Sequence, residues 1–435
     1  MKKLIIRGGR VVDPYSGTDE KLDILIQDGR VRKLEKKLDA GLREAKTIDA
    51  RGKIVAPGFI DLHTHLREPG REDKETILTG TKAACHGGFT SVLCMPNTTP
   101  PIDDESVVRF VIRQQEQAGF ARVYAVGAIT KGLAGRELTE IGHLVGAGVV
   151  AISDDGNSLM NSELMRRALE YATMFGIPII SHCEDVSLTA AGVMNEGYYS
   201  TLFGMRGAPA VAEQVMVARD IILAEYTRAH IHITHVSSKG SVELIRRAKE
   251  RGVRVTSDTA PHYFTLNDSM LRDYNPNLKI NPPLRSLEDV EAIKDGLKAG
   301  TIDAIATDHA PHTQAEKEVE FDAAPSGIVG LETALGLVLK ELVEPGVLSL
   351  PDAIRKLTFS PAEIVNLPGG RLQKGSPADI TVFDPRPTWV CEPSDFLSKS
   401  KNSPFKGWTL RGKVECVLVG GNPVIEDGEV TSSTA

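Results

Sequence analysis

The chain has 435 residues, 41 % hydrophobic and 25 % charged, with a formal net charge of −7. That length exceeds one small core and points to a large domain with a smaller one, while the acidic balance implies no basic face and argues against non-specific nucleic-acid binding. No apolar run approaches the roughly 20 residues that span a bilayer, so neither a membrane segment nor nucleic-acid binding is expected.

The start, Met1-Lys-Lys-Leu-Ile-Ile-Arg7, has too short an apolar stretch for a signal peptide. Residues 1–55 then read as short strands: Leu4–Ile6, Val11-Val12, Asp23–Ile26 and Arg30–Leu34, separated by Gly-Gly, Asp-Pro and Asp-Gly turns. From Phe59 the pattern becomes strand followed by helix. Apolar runs fall at Phe59–His63, Thr90–Met95, Arg122–Ala128, Val149–Ser153, Pro178–His182, His230–His235, Val253–Ser257 and Ile302–Thr307. Helical patterns intervene at Asp104–Gln117, Ser162–Phe175, Ala210–Glu225, Ser241–Arg251 and Leu287–Leu297, with Gly87-Gly88, Gly148, Gly176 and Gly252 where helices should stop. Eight such units fit a (β/α)8 TIM barrel, and no GxGxxG follows any strand, so an open dinucleotide fold lacks its phosphate loop. The end returns to short strands at Asp379–Phe383, Trp408–Leu410, Glu415–Val419 and Pro423–Ile425. Neither end has enough strands to bury a core alone. The expectation is a barrel over 56–365 and a small β-sandwich-like domain built from 1–55 plus 366–435. The cysteines Cys85, Cys94, Cys183, Cys391 and Cys416 form no CxxC pair and read as the reduced thiols of a cytoplasmic protein.

In such a barrel, reactive groups sit at the C-terminal strand ends. Strand 1 delivers His63 and His65, one pleat apart on a shared face, with Arg67 in the same parity if the strand continues. Strand 2 ends in Met95-Pro-Asn97, strand 4 in Ser153-Asp-Asp-Gly156, strand 5 in Ser181-His-Cys-Glu184, strand 6 in Thr234-His-Val236 and strand 8 in Thr307-Asp-His-Ala-Pro-His312. A lone His-x-His carries little weight, but ligand types at five strand ends of one rim argue jointly for a metal centre. Imidazoles and carboxylates without thiolates suit Zn²⁺, and also Mn²⁺, Fe²⁺ or Co²⁺. His63, His65, His182, His235 and the aspartates exceed what one catalytic zinc takes, so two ions are expected, bridged by Asp154 or Asp155. His86 and His143 read as surface residues. His230 and His232 have the opposite parity to His235 and are expected to face the helices. Glu184 and Asp185 read as solvated loop charges and Asp303 as a strand-start charge, while Asp61, which shares the parity of His63, reads either as support for the ligands or as a satisfied core carboxylate. The polar segment His312–Ser326 starts just past Asp308 and reads as a loop covering the substrate.

These stretches together resemble the amidohydrolase superfamily and, within it, bacterial dihydroorotases of the long-chain class. The resemblance rests on Asp61-Leu-His-Thr-His-Leu-Arg-Glu-Pro-Gly70, Met95-Pro-Asn-Thr98, Ser153–Gly156, Lys279-Ile-Asn-Pro-Pro-Leu-Arg285, Ala306–His312 and Gly327-Ile-Val-Gly-Leu-Glu-Thr333, in order over nearly the whole chain. It implies reversible cyclisation of N-carbamoyl-L-aspartate to L-dihydroorotate in pyrimidine biosynthesis, by a zinc-dependent enzyme with metal-activated hydroxide. It further implies that His63 and His65 hold one zinc and His182 and His235 the other. Asp155 bridges the two, and Asp308 touches the first and acts as acid/base. His65, Arg67, Asn97, Asn281, His312 and the backbone at Ser326 and Gly327 hold the substrate. Related cyclic amidases bridge their metals with a carboxylated lysine, and the end of strand 4 has none. Ser326 stands where many relatives carry an aromatic residue. The resemblance also implies a homodimer and an association with aspartate transcarbamoylase. The competing readings are another cyclic amidase of the allantoinase or hydantoinase type, and a catalytically silent subunit supporting aspartate transcarbamoylase.

Overall fold

The computed structural model describes residues 3–38 and 45–431; Met1 and Lys2, the first two residues of the stretch Met1–Arg7, lie outside them. Eight parallel strands follow in chain order around a barrel: Phe59–Thr64, Phe89–Cys94, Arg122–Ala128, Ala151–Ser153, Ile179–Ser181, Ile231–Ile233, Val255–Thr259 and Ala304–Ile305. The first and last meet through a parallel bridge between Thr64 and His309, with the His65 N–H donating to the His309 carbonyl at 2.8 Å. All residues of the first two strands are buried, as expected of parallel strands covered on both faces.

Register shows what each face packs against. Ile180, His232 and Thr256 are cross-strand partners, and Ile180 packs inside the barrel with Ile60, Leu62, Leu93 and Ala304. Ile179, Ile231 and Val255 form the neighbouring row and pack with the helices. His230 and His232 therefore share the inward parity, which corrects the expectation that they face the helices. Counting parity back from His235 misled, because the strand ends at Ile233 and His235 has turned into the left-handed region at φ +40°.

The helices begin and end where local chemistry dictates. Asp104 accepts from the Ser106 and Val107 N–H groups ahead of Glu105–Ala118, and Asn161 accepts from Glu163 and Leu164 ahead of Ser162–Phe175. Gly148 and Gly176 end their helices in the left-handed conformation.

Both chain ends contribute to one nine-stranded sheet. Its backbone is Ile380–Val390 against Ile54–Pro57 against Lys3–Asp13, extended on one side by Thr409–Val419 and on the other by Thr18–Gln27. Leu4–Ile6 and Val11-Val12 belong to a single strand with a register shift between Ile6 and Gly9, where alternation alone reads as two. Ile54–Pro57 leads through Gly58 into the first barrel strand, and the Gly58 N–H donates to Asp379 O at 2.9 Å. After Val390 the chain crosses back over the barrel rim, bringing Ser398 and Asn402 to the loops that carry the site. No helix among the described residues is long and apolar enough to cross a membrane.

Two glycines test this packing. A Cβ at Gly87 would fall 2.1 Å from the Leu331 carbonyl oxygen, whereas at Gly146, inside the helix Ile141–Ala147, it would meet nothing within 4 Å. Thermal unfolding should show Gly87→Ala destabilised by about 2 kcal/mol or more. Gly146→Ala should be stabilised by up to about 1 kcal/mol through helix propensity.

Candidate active site

The residues of interest stand on one rim because every barrel strand ends there. His63 closes the first strand and His65 lies just beyond it; both are buried, with ring centroids 5.1 Å apart. Asp61 ties this strand end to the eighth. Its carboxylate accepts from the His63 N–H, the Thr307 N–H and, at 2.5 Å, the Thr307 hydroxyl. Burial raises the Asp61 carboxyl to about 6 against these hydrogen bonds.

Asp155 occupies the centre. One of its oxygens lies 3.3 Å from His63 Nε2 and 3.6 Å from His65 Nε2. The other lies 3.6 Å from His182 Nδ1 and 3.7 Å from His235 Nε2. Asp154 turns away: it accepts from the Ile129 and Thr130 N–H groups and from the Thr130 hydroxyl, pinning the third strand's loop. Of the two aspartates, it is Asp155 that lies between the histidines. Asp308, left-handed at φ +49°, places Oδ1 3.2 Å from His65 Nε2 and 3.6 Å from His63 Nε2.

The electrostatics of this cluster call for a cation. Burial opposes a charge on His63, yet Asp155 and Asp308 beside it raise the imidazole to about 10. Burial likewise opposes charge on Asp155 and Asp308, and the surrounding imidazoles hold both well below the usual carboxylate range. His63 Nε2 and Asp155 Oδ1 are buried without a hydrogen-bond partner, a costly state for atoms able to ligate a metal. Two triads have their ligand atoms within 4.8 Å of one another: His63, His65 and Asp155, and Asp155, His182 and His235. The donor set therefore fits divalent ions.

Hydrogen bonds aim the ring nitrogens. His65 Nδ1 meets the Asn97 side-chain oxygen at 2.9 Å, leaving Nε2 toward the carboxylates. His182 Nε2 lies 3.1 Å from a Glu184 oxygen, leaving Nδ1 toward His235 and Asp155. Glu184 also accepts from Asn281 Nδ2 at 2.8 Å and from the Thr189 hydroxyl. Burial opposes its charge, but His182, Asn281 and Thr189 lower the carboxyl to about 2. Glu184 is thus a partner of a candidate ligand and not a solvated loop charge. The signal available was its place two residues after His182.

A pocket of about 210 Å³ opens onto the cluster, lined by His65, Asp155, His182, His235 and Asp308 and also by Arg67, Asn97, Asn281, His312, Ser326 and Gly327. Arg67, at φ +61°, donates through Nε to the Pro311 carbonyl at 3.2 Å. His312 donates from Nε2 to the Ser326 carbonyl and accepts from Lys74 Nζ at Nδ1. Burial and the nearby Arg67 and Lys74 cations lower it to about 3, so it is neutral. Gly327 has φ +133°, and a Cβ there would fall 2.7 Å from that of Ala310. Lys317 anchors the segment between His312 and Ser326 by donating to the carbonyls of Pro276 and Pro325.

Two supports went unseen in the sequence. Asn402 accepts from the His312 N–H and donates to the Ala310 and Gly327 carbonyls, so the C-terminal segment fixes the loop carrying His312. Fully buried Glu75 accepts from His309 Nε2, the Ser398 hydroxyl and the Lys399 N–H, bracing the turn that carries Asp308. Neither had a local signal, because each acts on residues far away in the chain.

A family model described as dihydro-orotase-like matches residues 52–241, and one for the amidohydrolase family matches 206–425. The dihydroorotase of Geobacter metallireducens is 55 % identical over 97 % of this chain and 99 % of its own. That of Pelotomaculum thermopropionicum is 54 % identical over 98 % of this chain and 99 % of its own. Among solved structures, the L-hydantoinase of Arthrobacter aurescens superposes with a TM-score of 0.89 at 26 % identity, covering 99 % of this chain and 98 % of that one. The dihydropyrimidinase of Brevibacillus agri gives 0.84 at 24 % identity, over 99 % and 96 %, a likeness of fold.

The two adjacent aspartates should separate cleanly. Asp155→Asn should lose most of the divalent ion bound per chain while keeping its unfolding midpoint. Asp154→Asn should keep the bound ion but lose about 2–4 kcal/mol of stability with its buried hydrogen bonds. Metal analysis and thermal unfolding of both variants check this.

Proposed function

The chain belongs to the dihydroorotases, within the amidohydrolase family, and from that premise we propose that it catalyses the reversible cyclisation of N-carbamoyl-L-aspartate to L-dihydroorotate, as a cytoplasmic step of pyrimidine biosynthesis. One observation carries the reading: the two oxygens of Asp155 face different histidine pairs, and Asp308 and Arg67 border the same pocket. His63, His65 and Asp308 would hold one zinc and His182 and His235 the other, with Asp155 shared. Bound there, the ions lower the pKa of water towards about 7 and polarise the amide carbonyl.

The remaining steps belong to side chains. In the hydrolytic direction the oxygen of water bonds to the amide carbon, and its proton passes to Asp308. Asp308 returns that proton to the ring nitrogen as the carbon–nitrogen bond breaks. In the biosynthetic direction Asp308 receives the proton of the attacking ureido nitrogen and passes it to the carboxyl oxygen whose bond to carbon breaks, which leaves as water. The bracing of the Asp308 turn by Glu75, through His309, keeps the carboxylate in place for both transfers.

Recognition falls to the other residues that line the pocket. The substrate has a carboxylate that takes no part in the bond change, and the planar fork of Arg67 suits it. The Arg67 bond to Pro311 uses Nε and leaves the two terminal amino groups for that carboxylate. His312, Asn97, Asn281 and the backbone at Ser326 and Gly327 complete the contacts, and the segment between His312 and Ser326 covers the entrance. A neutral-ring amidase has less use for Arg67, and the likeness to hydantoinases stands at 26 % identity against 55 % for a dihydroorotase. The barrel of 56–365 is the catalytic domain in this reading, with 1–55 plus 366–435 as a composite β domain. The proposed assembly is a homodimer that associates with aspartate transcarbamoylase.

Asp308→Ala should lower kcat by about 10²–10⁴-fold, the usual worth of a general acid–base, with the fold intact. Arg67→Met should raise KM for dihydroorotate by about 10²-fold, matching the loss of roughly 2–3 kcal/mol of charged hydrogen bonds, with metal content unchanged. Equal metal loss in both variants would contradict the separate roles given to them.

A further inference from the structure

The interior of a (β/α)8 barrel is ordinarily filled by layers of branched apolar side chains. Here a file of polar groups runs through it beneath the histidine cluster. His63 Nδ1 lies 2.7 Å from the Thr234 hydroxyl. That hydroxyl lies 3.1 Å from Asp258 Oδ2, and the same oxygen is 2.8 Å from His232 Nε2. His232 Nδ1 is 2.9 Å from the Thr256 hydroxyl, which in turn is 2.8 Å from His230 Nε2. Asp258 Oδ1 accepts the His235 N–H at 2.7 Å. Thr234, His232 and Asp258 are all buried.

The proton directions in this file are determined. A carboxylate offers only acceptors, so Thr234 and His232 both donate to Asp258. The single Thr234 hydroxyl proton is then committed, and the hydroxyl can only accept from His63 Nδ1–H. In the neutral form that a ligating histidine takes, the lone pair of His63 is thereby forced onto Nε2, the atom that faces Asp155 and has no hydrogen-bond partner. On the other side, His232 carries its proton on Nε2 and accepts at Nδ1 from Thr256, whose oxygen accepts from His230. The Thr234 and Thr256 hydroxyls, the Asp258 carboxylate and both ring nitrogens of His232 are satisfied in this arrangement, which is what a buried network requires.

We propose that Asp258, acting through the Thr234 hydroxyl and the His235 backbone N–H, is the positioning residue that sets the tautomer of His63 and the left-handed turn of His235, and so fixes one ligand of each metal ion. Thr234 and Asp258 touch neither substrate nor the reacting atoms. The inference rests on the metal reading of the site given above. It also accounts for polar residues at inward positions of the sixth and seventh strands, where apolar ones would pack at lower cost.

The test compares Thr234→Val, which removes the hydroxyl at nearly constant volume, with Thr234→Ser, which keeps it. The metal-free full chain is titrated with Zn²⁺ against a chromophoric chelator, and the visible absorption of the Co²⁺-loaded protein is recorded. Thr234→Val should bind the ion about 10–100-fold more weakly, the usual effect of removing a partner of a ligating histidine. Its Co²⁺ spectrum should change, kcat should fall with KM nearly constant, and Thr234→Ser should restore all of these. If Thr234→Val does not fold, Thr234→Ala replaces it against the same Thr234→Ser control. Wild-type zinc affinity and an unchanged Co²⁺ spectrum in a folded Thr234→Val or Thr234→Ala protein would overturn the proposal while leaving the metal reading intact. A wild-type chain that binds neither ion would overturn both.

Discussion

One buried carboxylate with its two oxygens turned to two pairs of imidazoles is the constraint on which the rest of this molecule depends. Asp155 could not sit among His63, His65, His182 and His235 unless the first, fourth, fifth and sixth strands ended at one height around one axis. A parallel barrel supplies that condition, because each strand enters from the same side and delivers its last residues to the same rim. An uncompensated cluster of this kind in a low-dielectric interior is expensive. The displacement of the His63 imidazole toward its charged form, under two carboxylates, expresses the same demand for positive charge that divalent ions would meet.

Holding such a cluster requires supports that face away from the pocket. Asn97 fixes His65, Glu184 fixes His182, and Asp61 locks the His63 strand end to Thr307. The loops are held from further off. Glu75, Ser398 and Asn402 come from the first helical connection and from the C-terminal crossing segment, and they brace the turn that carries Asp308 and His312. The terminal sheet is therefore not a passive appendage: the chain that leaves its strand Ile380–Val390 passes through the site's supports before returning to the sheet at Thr409.

Much of this was legible in the sequence, for physical reasons that differ by element. Barrel strands buried on both faces give continuous apolar runs, and helices ending at glycine give clear stops, so the βα repeat could be read. Ligand-type residues recur at strand ends, so the cluster could be assembled without knowing any distance. The same reading failed where a local rule met a local exception. Alternation counted back from His235 put His230 and His232 on the wrong face, because the backbone leaves the strand at Thr234. Lys3–Asp13 read as two strands because a bulge near Gly8 shifts its register. Glu184 looked like an ordinary loop charge, since nothing local to it reveals that Asn281, almost a hundred residues away, also points at it. Asn402 and Glu75 act only across the fold, and pattern along a chain carries no trace of that.

The most direct measurement is turnover of dihydroorotate and of N-carbamoyl-L-aspartate by the purified chain, with bound metal determined on the same sample. The account predicts turnover in both directions at about two zinc ions per chain, lost on chelation and restored when zinc is returned. A fully metal-loaded chain that turns over neither compound would contradict it.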